Sequence, residues 1–283
     1  MNGSVAGPAA GPVVVGVDGS RSCMAAVETA ARAADRLGVG LLPAHALQWP
    51  SAHVLPGVPP WDRGAPGARE VVDGALEDAE RRARRAAPRV RVTHEILMGD
   101  PATVLESASR DDSLTVVGGR PAARRHGGGR RGSVAGRLAA HGCSPVLVVR
   151  GSPVPAGPVV PVADGDTPEG GAAAEFAFAE ASGRGADVTA LDGTRARNAS
   201  SAADGSADLL AAPEKKHPDT ASHHVRVRGG LHRALVEAGT EAQLVVIAPR
   251  GPESLLGALP HPTRRGAPPH ADRPVAVIRP EED

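Results

Sequence analysis

Aromatic residues are nearly absent from this 283-residue chain: Trp49, Trp61, Phe176 and Phe178 are the whole set, and there is no Tyr. Proteins that hold single-stranded nucleic acid stack bases on aromatic platforms, so that class is excluded. Net charge is missing too. The 32 basic residues are balanced by 32 acidic ones, which removes the basic field of a general nucleic-acid binder, and no nucleic acid is expected as partner. Lys occurs only as Lys215 and Lys216, so there is no Gly-Lys pair and no P-loop. Cys23 and Cys143, the only thiols, lie far apart, show no Cys-x-x-Cys or Cys/His spacing, and fit a reducing compartment. The histidines are scattered, His223-His224 has no acids at ligand spacing, and no metal site is expected. No apolar run approaches the roughly 18 residues of a membrane span, and the first residues carry no positive cluster or apolar stretch. The expectation is a soluble, cytoplasmic protein with no membrane partner.

With so few rings, the core must be built from Val, Leu, Ile and Ala. Val13 to Asp18 is a short β-branched run ending in Asp-Gly-Ser, the form of a strand buried on both faces that delivers its last residue to a sheet edge. A helix capped by Ser22 should follow and close at Leu37-Gly38, then a strand from Val39 to Leu47. Residues 49–67 read as a long connection, Ala68 to Ala87 as a charged helix, and Arg89 to Leu97 as a strand. Gly99-Asp100-Pro101 supplies a cap and a first-turn proline for a helix to Arg110. Leu114 to Gly118 is a strand, Ser133 to His141 a helix, and Pro145 to Arg150 a closing strand. Strands alternating with helices imply parallel pairing in a doubly wound α/β sheet.

The second half repeats this order, with strands at Pro158 to Asp164, Asp187 to Leu191, Val225 to Arg228, Leu244 to Ala248 and Pro274 to Arg279, and helices at Glu169 to Ser182 and Leu231 to Ala238. Both closing strands read Pro, four apolar residues, Arg, which marks an internal duplication. Two domains in tandem, 1–152 and 153–283, are expected, with a mobile segment over Thr194 to Ser222. The two closing strands should pair antiparallel inside one molecule, an intramolecular pseudo-dimer that hides both apolar edges; a homodimer is the other way to cover them.

The chemistry concentrates after the fourth strand. From Gly118-Gly119 through Gly127-Gly128-Gly129 to Gly132-Ser133, a glycine-rich loop ends where a helix begins. Such a loop presents backbone N–H groups and the positive helix end to an anion, and glycine lets a phosphate approach closely. Gly127-x-Gly129-x-x-Gly132 also matches the dinucleotide fingerprint, but it lies well past its strand and lacks the later acid, so that reading is set aside. Arg120, Arg124, Arg125, Arg130 and Arg131 read as a solvated loop face, as do Arg81 to Arg85 on their helix. Ser133 has no evident base beside it and reads as a cap and phosphate contact.

Taken together, Val-Gly-Val-Asp-Gly-Ser at 15–20, Gly-Asp-Pro-Ala at 99–102, the glycine loop closing on Gly132-Ser133, and Cys-Ser-Pro-Val-Leu-Val-Val-Arg at 143–150 resemble the universal stress protein family in its tandem form. The resemblance implies two nucleotide-binding α/β domains and a regulatory role in stress response. Nucleotide-binding members carry Gly-x2-Gly-x9-Gly-Ser/Thr in this loop. Counting back from Gly132 puts the first glycine at Gly119 and Ala122 in the second position; aligning the strand instead makes Gly118 the first, with one residue inserted. By the same resemblance Gly118 or Gly119, Gly132, Ser133 and the Val134 amide would hold phosphates. Asp18 would meet the ribose or a metal, and backbone at His45-Ala46 the adenine. ATP, with or without Mg2+, is the implied ligand. A bare carboxylate beside a triphosphate repels it unless it accepts from hydroxyls or a cation bridges the two.

The second half departs from the motif. His261-Pro262 stands where Gly-Ser should be, only Gly251 survives of the glycines, and Pro262, Pro268 and Pro269 oppose the following helix. No second nucleotide site is expected there, although Asp164 persists. The expected function is an adenine-nucleotide-binding regulatory protein and not an enzyme. The alternatives are an interaction or scaffold module whose sites have both decayed, and a slow ATPase, which would need a base at the γ-phosphate.

Overall fold

Three β-branched residues in a row cannot pack a helix face well but fill a two-sided sheet, and Val13-Val14-Val15 opens β1 (Val13–Gly16) with all three buried. The computed structural model describes residues 11–47, 66–119, 134–150, 156–163, 167–192, 210–227, 241–248 and 273–279. The expected glycine-loop ligands Gly132 and Ser133, the loop arginines, and Asp164, Gly251, His261 and Pro262 lie outside those residues, as does the expected helix at Leu231 to Ala238.

The chain divides into two compact units, Pro8–Gly142 and one that begins at Cys143. In the first, α1 (Arg21–Leu37), β2 (Leu41–Leu47), α2 (Pro66–Ala86), β3 (Glu95–Met98), α3 (Pro101–Ala108), β4 (Leu114–Gly118) and α4 (Val134–His141) follow β1. The sheet order is β3-β2-β1-β4, and all three pairs are parallel. Ala26, Ala30, Ala33 and Ala34 of α1 are fully buried, and the small side chains allow α1 to lie close on β1 and β4.

The helix cap falls two residues earlier than expected. Asp18 Oδ1 accepts from the Ser20 N–H at 2.9 Å, and Gly19 takes φ 75°, so the chain turns immediately after the strand. Ser20 becomes the N-cap, accepting from the Cys23 N–H at 3.2 Å, while the Ser22 hydroxyl lies 3.0 Å from that of Ser20. Strand β3 is shorter than expected, with a single bridge at Val92 before it starts at Glu95. The cause is Pro43 in β2, whose missing N–H falls on the β3 side and breaks the ladder there. Asp100 caps α3 through the Thr103 N–H at 3.3 Å.

The second unit holds β5 (Val146–Val149), β6 (Val159–Ala163), α5 (Pro168–Arg184), β7 (Val188–Asp192), β8 (Ser222–Arg226), β9 (Leu244–Ile247) and β10 (Val275–Val277). Its order is β5-β10-β9-β6-β7-β8, parallel except that β5 runs antiparallel to β10, with Leu147 opposite Ala276. All four β5 residues are buried. Residues 210–216, expected within a mobile segment, are helical, with Leu210 buried and Lys216 Nζ 2.6 Å from Glu175 of α5. Their charged, alanine-rich composition carries no period from which to read a helix. Strand β8 accordingly begins at Ser222, earlier than expected.

The duplication is visible in hydrogen bonds as well as in order. Ser113, just before β4, donates its N–H to the Pro12 carbonyl at 3.0 Å and its hydroxyl to the Gly11 carbonyl at 2.6 Å. Gln243, just before β9, donates its N–H to Pro158 at 3.1 Å and its side-chain amide to Gly157 at 2.6 Å. Helices α1 and α5 are each 17 residues long, start on a hydroxyl cap at Ser20 and Thr167, and end on left-handed Gly38 and Gly185.

Candidate functional site

In an open parallel sheet, the crevice for a ligand opens at the carboxyl ends of the strands, where neighbouring connections leave toward opposite sides. In the first unit that place is between β1 and β4, because β1 leads on toward β2 while β4 lies on its other flank. Asp18 stands at the end of β1 and is exposed, Gly118 and Gly119 stand at the end of β4, and Ala46 lies near the end of β2. The structure thus puts four of the seven expected site residues at the ends of three adjacent strands. Val134 begins α4.

Gly118 is closely crowded. A Cβ there would stand 3.0 Å from the Ser22 carbonyl carbon and 3.1 Å from the Cys23 nitrogen, so the end of β4 lies directly against the first turn of α1. So tight an approach favours glycine whatever binds above it.

The backbone of β2 alternates between its two neighbours. Leu41 and Leu47 exchange hydrogen bonds with the β3 side, through Arg91, Thr93 and Gly99. Gly40 and Ala44 accept from Val13 and Val17 on the β1 side. Ala46 therefore turns its N–H and C=O toward β1, at the level where β1 has already left the sheet. The Val17 carbonyl, which the next rung would offer to Ala46, instead meets His45 Nδ1 at 2.8 Å. A donor and an acceptor side by side at a strand end match the hydrogen-bonding edge of a purine base. Sequence reasoning placed Ala46 here by resemblance but missed His45 as a side chain, since nothing in its spacing marks a ring that folds back on its own sheet.

Cys23 sits under the same turn. It is 2% exposed, and its thiol lies 3.1 Å from the Ser20 carbonyl, which accepts from it. Burial pushes its pKa up to about 11, and the Asp18 charge adds to the rise. The thiol is therefore neutral and unreactive at physiological pH. Cys143 is exposed. With an alkylating thiol reagent at pH 7.5, the native chain should modify at Cys143 alone and the denatured chain at both; rapid native labelling of Cys23 would contradict the buried placement.

Among the described residues no group of three His, Cys, Asp or Glu could hold a metal ion by itself, and no helix is long and apolar enough to cross a membrane.

Comparison with known proteins bears on the family and the fold. The profile described as "Universal stress protein family" matches residues 10–150. The universal stress protein Rv2623 of Mycobacterium tuberculosis is 31% identical over 290 residues, covering 94% of this chain and 96% of that protein. The crystal structure of a universal stress protein from Archaeoglobus fulgidus superposes with a TM-score of 0.68 at 17% identity, over 95% of this chain and 96% of that one. A universal stress protein solved in complex with cAMP matches 49% of this chain and 95% of its own, at 27% identity and a TM-score of 0.37. A paired duplication, the strand order around β1 and β4, and a relative matched along nearly its whole length lead to one conclusion: this chain belongs to the universal stress protein family.

Proposed function

We propose that the chain binds one adenine nucleotide, ATP or a close relative, at the carboxyl edge of β1, β2 and β4, and acts as a regulatory binding protein in a stress response. The observation that carries this reading is the convergence of Asp18, Ala46 and Gly118-Gly119 on the switch point of one parallel sheet, with the unpaired edge of Ala46 facing the gap. The base would pair with the Ala46 backbone. The ribose hydroxyls would donate to Asp18, whose carboxylate already accepts from Ser20. The phosphates would reach the loop toward Gly132, Ser133 and the Val134 amide at the start of α4, where the positive end of the helix dipole favours an anion. Mg2+ fits as an ion carried on the phosphates and met by Asp18, since one carboxylate cannot cage it; when bound, it neutralises charge between carboxylate and phosphate.

Binding is favoured over catalysis by the described thiol and carboxylate at this edge, which are buried or given to structure and ligand contact. Cys23 is locked as a neutral thiol, and Asp18 braces the turn. The second half, with His261-Pro262 in the loop position, is assigned no nucleotide; its closing strand β10 covers β5 within the same unit. Cys23 and Cys143 are not joined in a disulfide, which suits a cytoplasmic location.

Equilibrium binding of labelled ATP to the intact chain and to Asp18→Asn tests the reading. Loss of a charged acceptor should weaken binding by about 1–3 kcal/mol, on the order of tenfold to a hundredfold, with an unchanged melting curve. Wild-type affinity in the Asn variant would place the site elsewhere.

A further inference from the structure

The contact between His45 and Val17 does more than join two strands. A carbonyl can only accept, so the ring nitrogen 2.8 Å from the Val17 oxygen, Nδ1, carries the proton. The register of β1 and β2 runs from Val13 opposite Leu41 to Gly16 opposite Ala44, and Val17 still donates to Ala44 at 2.8 Å. One more rung, from the Ala46 N–H to the Val17 carbonyl, would be the ordinary continuation of a parallel ladder. His45 occupies that carbonyl from within β2 itself.

We propose that His45 is a positioning residue that ends the β1–β2 ladder one rung early and so keeps the Ala46 N–H and C=O open for a nucleobase. The inference rests on the nucleotide reading above, and it deepens that reading by naming the residue that creates the base slot. A side chain without a donor at the Nδ1 position frees the Val17 carbonyl. The Ala46 N–H then closes onto it, and the slot is spent on an internal hydrogen bond. Because one hydrogen bond replaces another, the fold should tolerate the change. Ligand affinity should fall instead.

The substitutions that separate the possibilities are His45→Leu, which removes the donor, and His45→Asn, whose amide nitrogen reaches the place of Nδ1. The readouts are ATP affinity and hydrogen exchange of the Ala46 amide in the full chain. In the ligand-free wild type the Ala46 amide should exchange fast, and ATP should protect it. In ligand-free His45→Leu the same amide should be protected at least tenfold, with ATP affinity lowered at least tenfold. His45→Asn should restore both to within about threefold of wild type. A structural role for the ring predicts the opposite pattern: a lower melting temperature in His45→Leu with Ala46 exchange no slower. That pattern, or wild-type affinity in His45→Leu, overturns the proposal. If His45→Leu fails to fold, 15N spectra of the wild-type imidazole decide, since an Nε2–H tautomer in the neutral ring contradicts the contact on which everything here depends. Failure of the wild type to bind ATP would defeat the nucleotide reading and this inference with it. Normal ATP binding with an Ala46 amide already protected before ligand is added would defeat the inference alone.

Discussion

Gly157→Ala and Gly11→Ala should each cost the folded chain roughly 3–5 kcal/mol, the largest stability losses expected of alanine substitutions at the described glycines. A Cβ at Gly11 would overlap the Asp111 carbonyl oxygen, and one at Gly157 the Glu241 carbonyl oxygen. Both neighbours are backbone, so no rotamer change relieves the overlap. Gly157 also has φ 137°, which an L side chain rarely adopts. The two glycines occupy equivalent places, each leading through Pro into the first strand of its half and each accepting from the residue that starts the neighbouring strand. Gly38→Ala and Gly185→Ala are the controls. They share a left-handed φ but meet nothing within 4 Å, so they should lose only about 1–2 kcal/mol. Denaturant midpoints of the four variants check this. Gly11 has no left-handed φ, so a loss at Gly11→Ala no larger than at the two controls would show that the crowded strand entries do not set the requirement for glycine.

The second large effect is on ligand and not on fold. Gly132→Val should lower nucleotide affinity at least a hundredfold while leaving the melting curve in place. A branched side chain at the expected point of phosphate approach excludes the anion from the amides at the start of α4. Gly118→Val gives a contrast, because its side chain would strike the Ser22–Cys23 backbone and should damage folding first. Affinity and melting temperature measured on both variants separate the two kinds of glycine. Gly132→Val binding like wild type would remove the loop from the site.

Much of this arrangement could be read from residue order, because each local signal agreed with its neighbours. Val13-Val14-Val15 and Val146 to Val149 are buried on both faces, and strands of that kind announce themselves by continuous branched residues. The caps at Asp100 and Gly38 follow from intrinsic backbone preferences. What escaped depended on partners distant in sequence. Ser20 outcompeted Ser22 because Asp18 drew the chain into its turn early. Strand β3 was shortened by Pro43, a residue of the strand beside it. Helical 210–216 is held by burial of Leu210 and by Glu175, neither of which leaves a local period. At the site, Asp18 and the β4 glycines were legible as strand-end chemistry, whereas the Gly118 contact with α1 and the His45 hold on Val17 exist only once β1, β2 and β4 lie side by side.

Calorimetric titration of the intact chain with ATP counts the nucleotides it holds. With strand ends converging in the first unit and Gly-Ser replaced by His261-Pro262 in the second half, the proposed site is single and saturation at one nucleotide per chain is expected. Two nucleotides per chain, or no heat and no displacement at millimolar ATP, would contradict it.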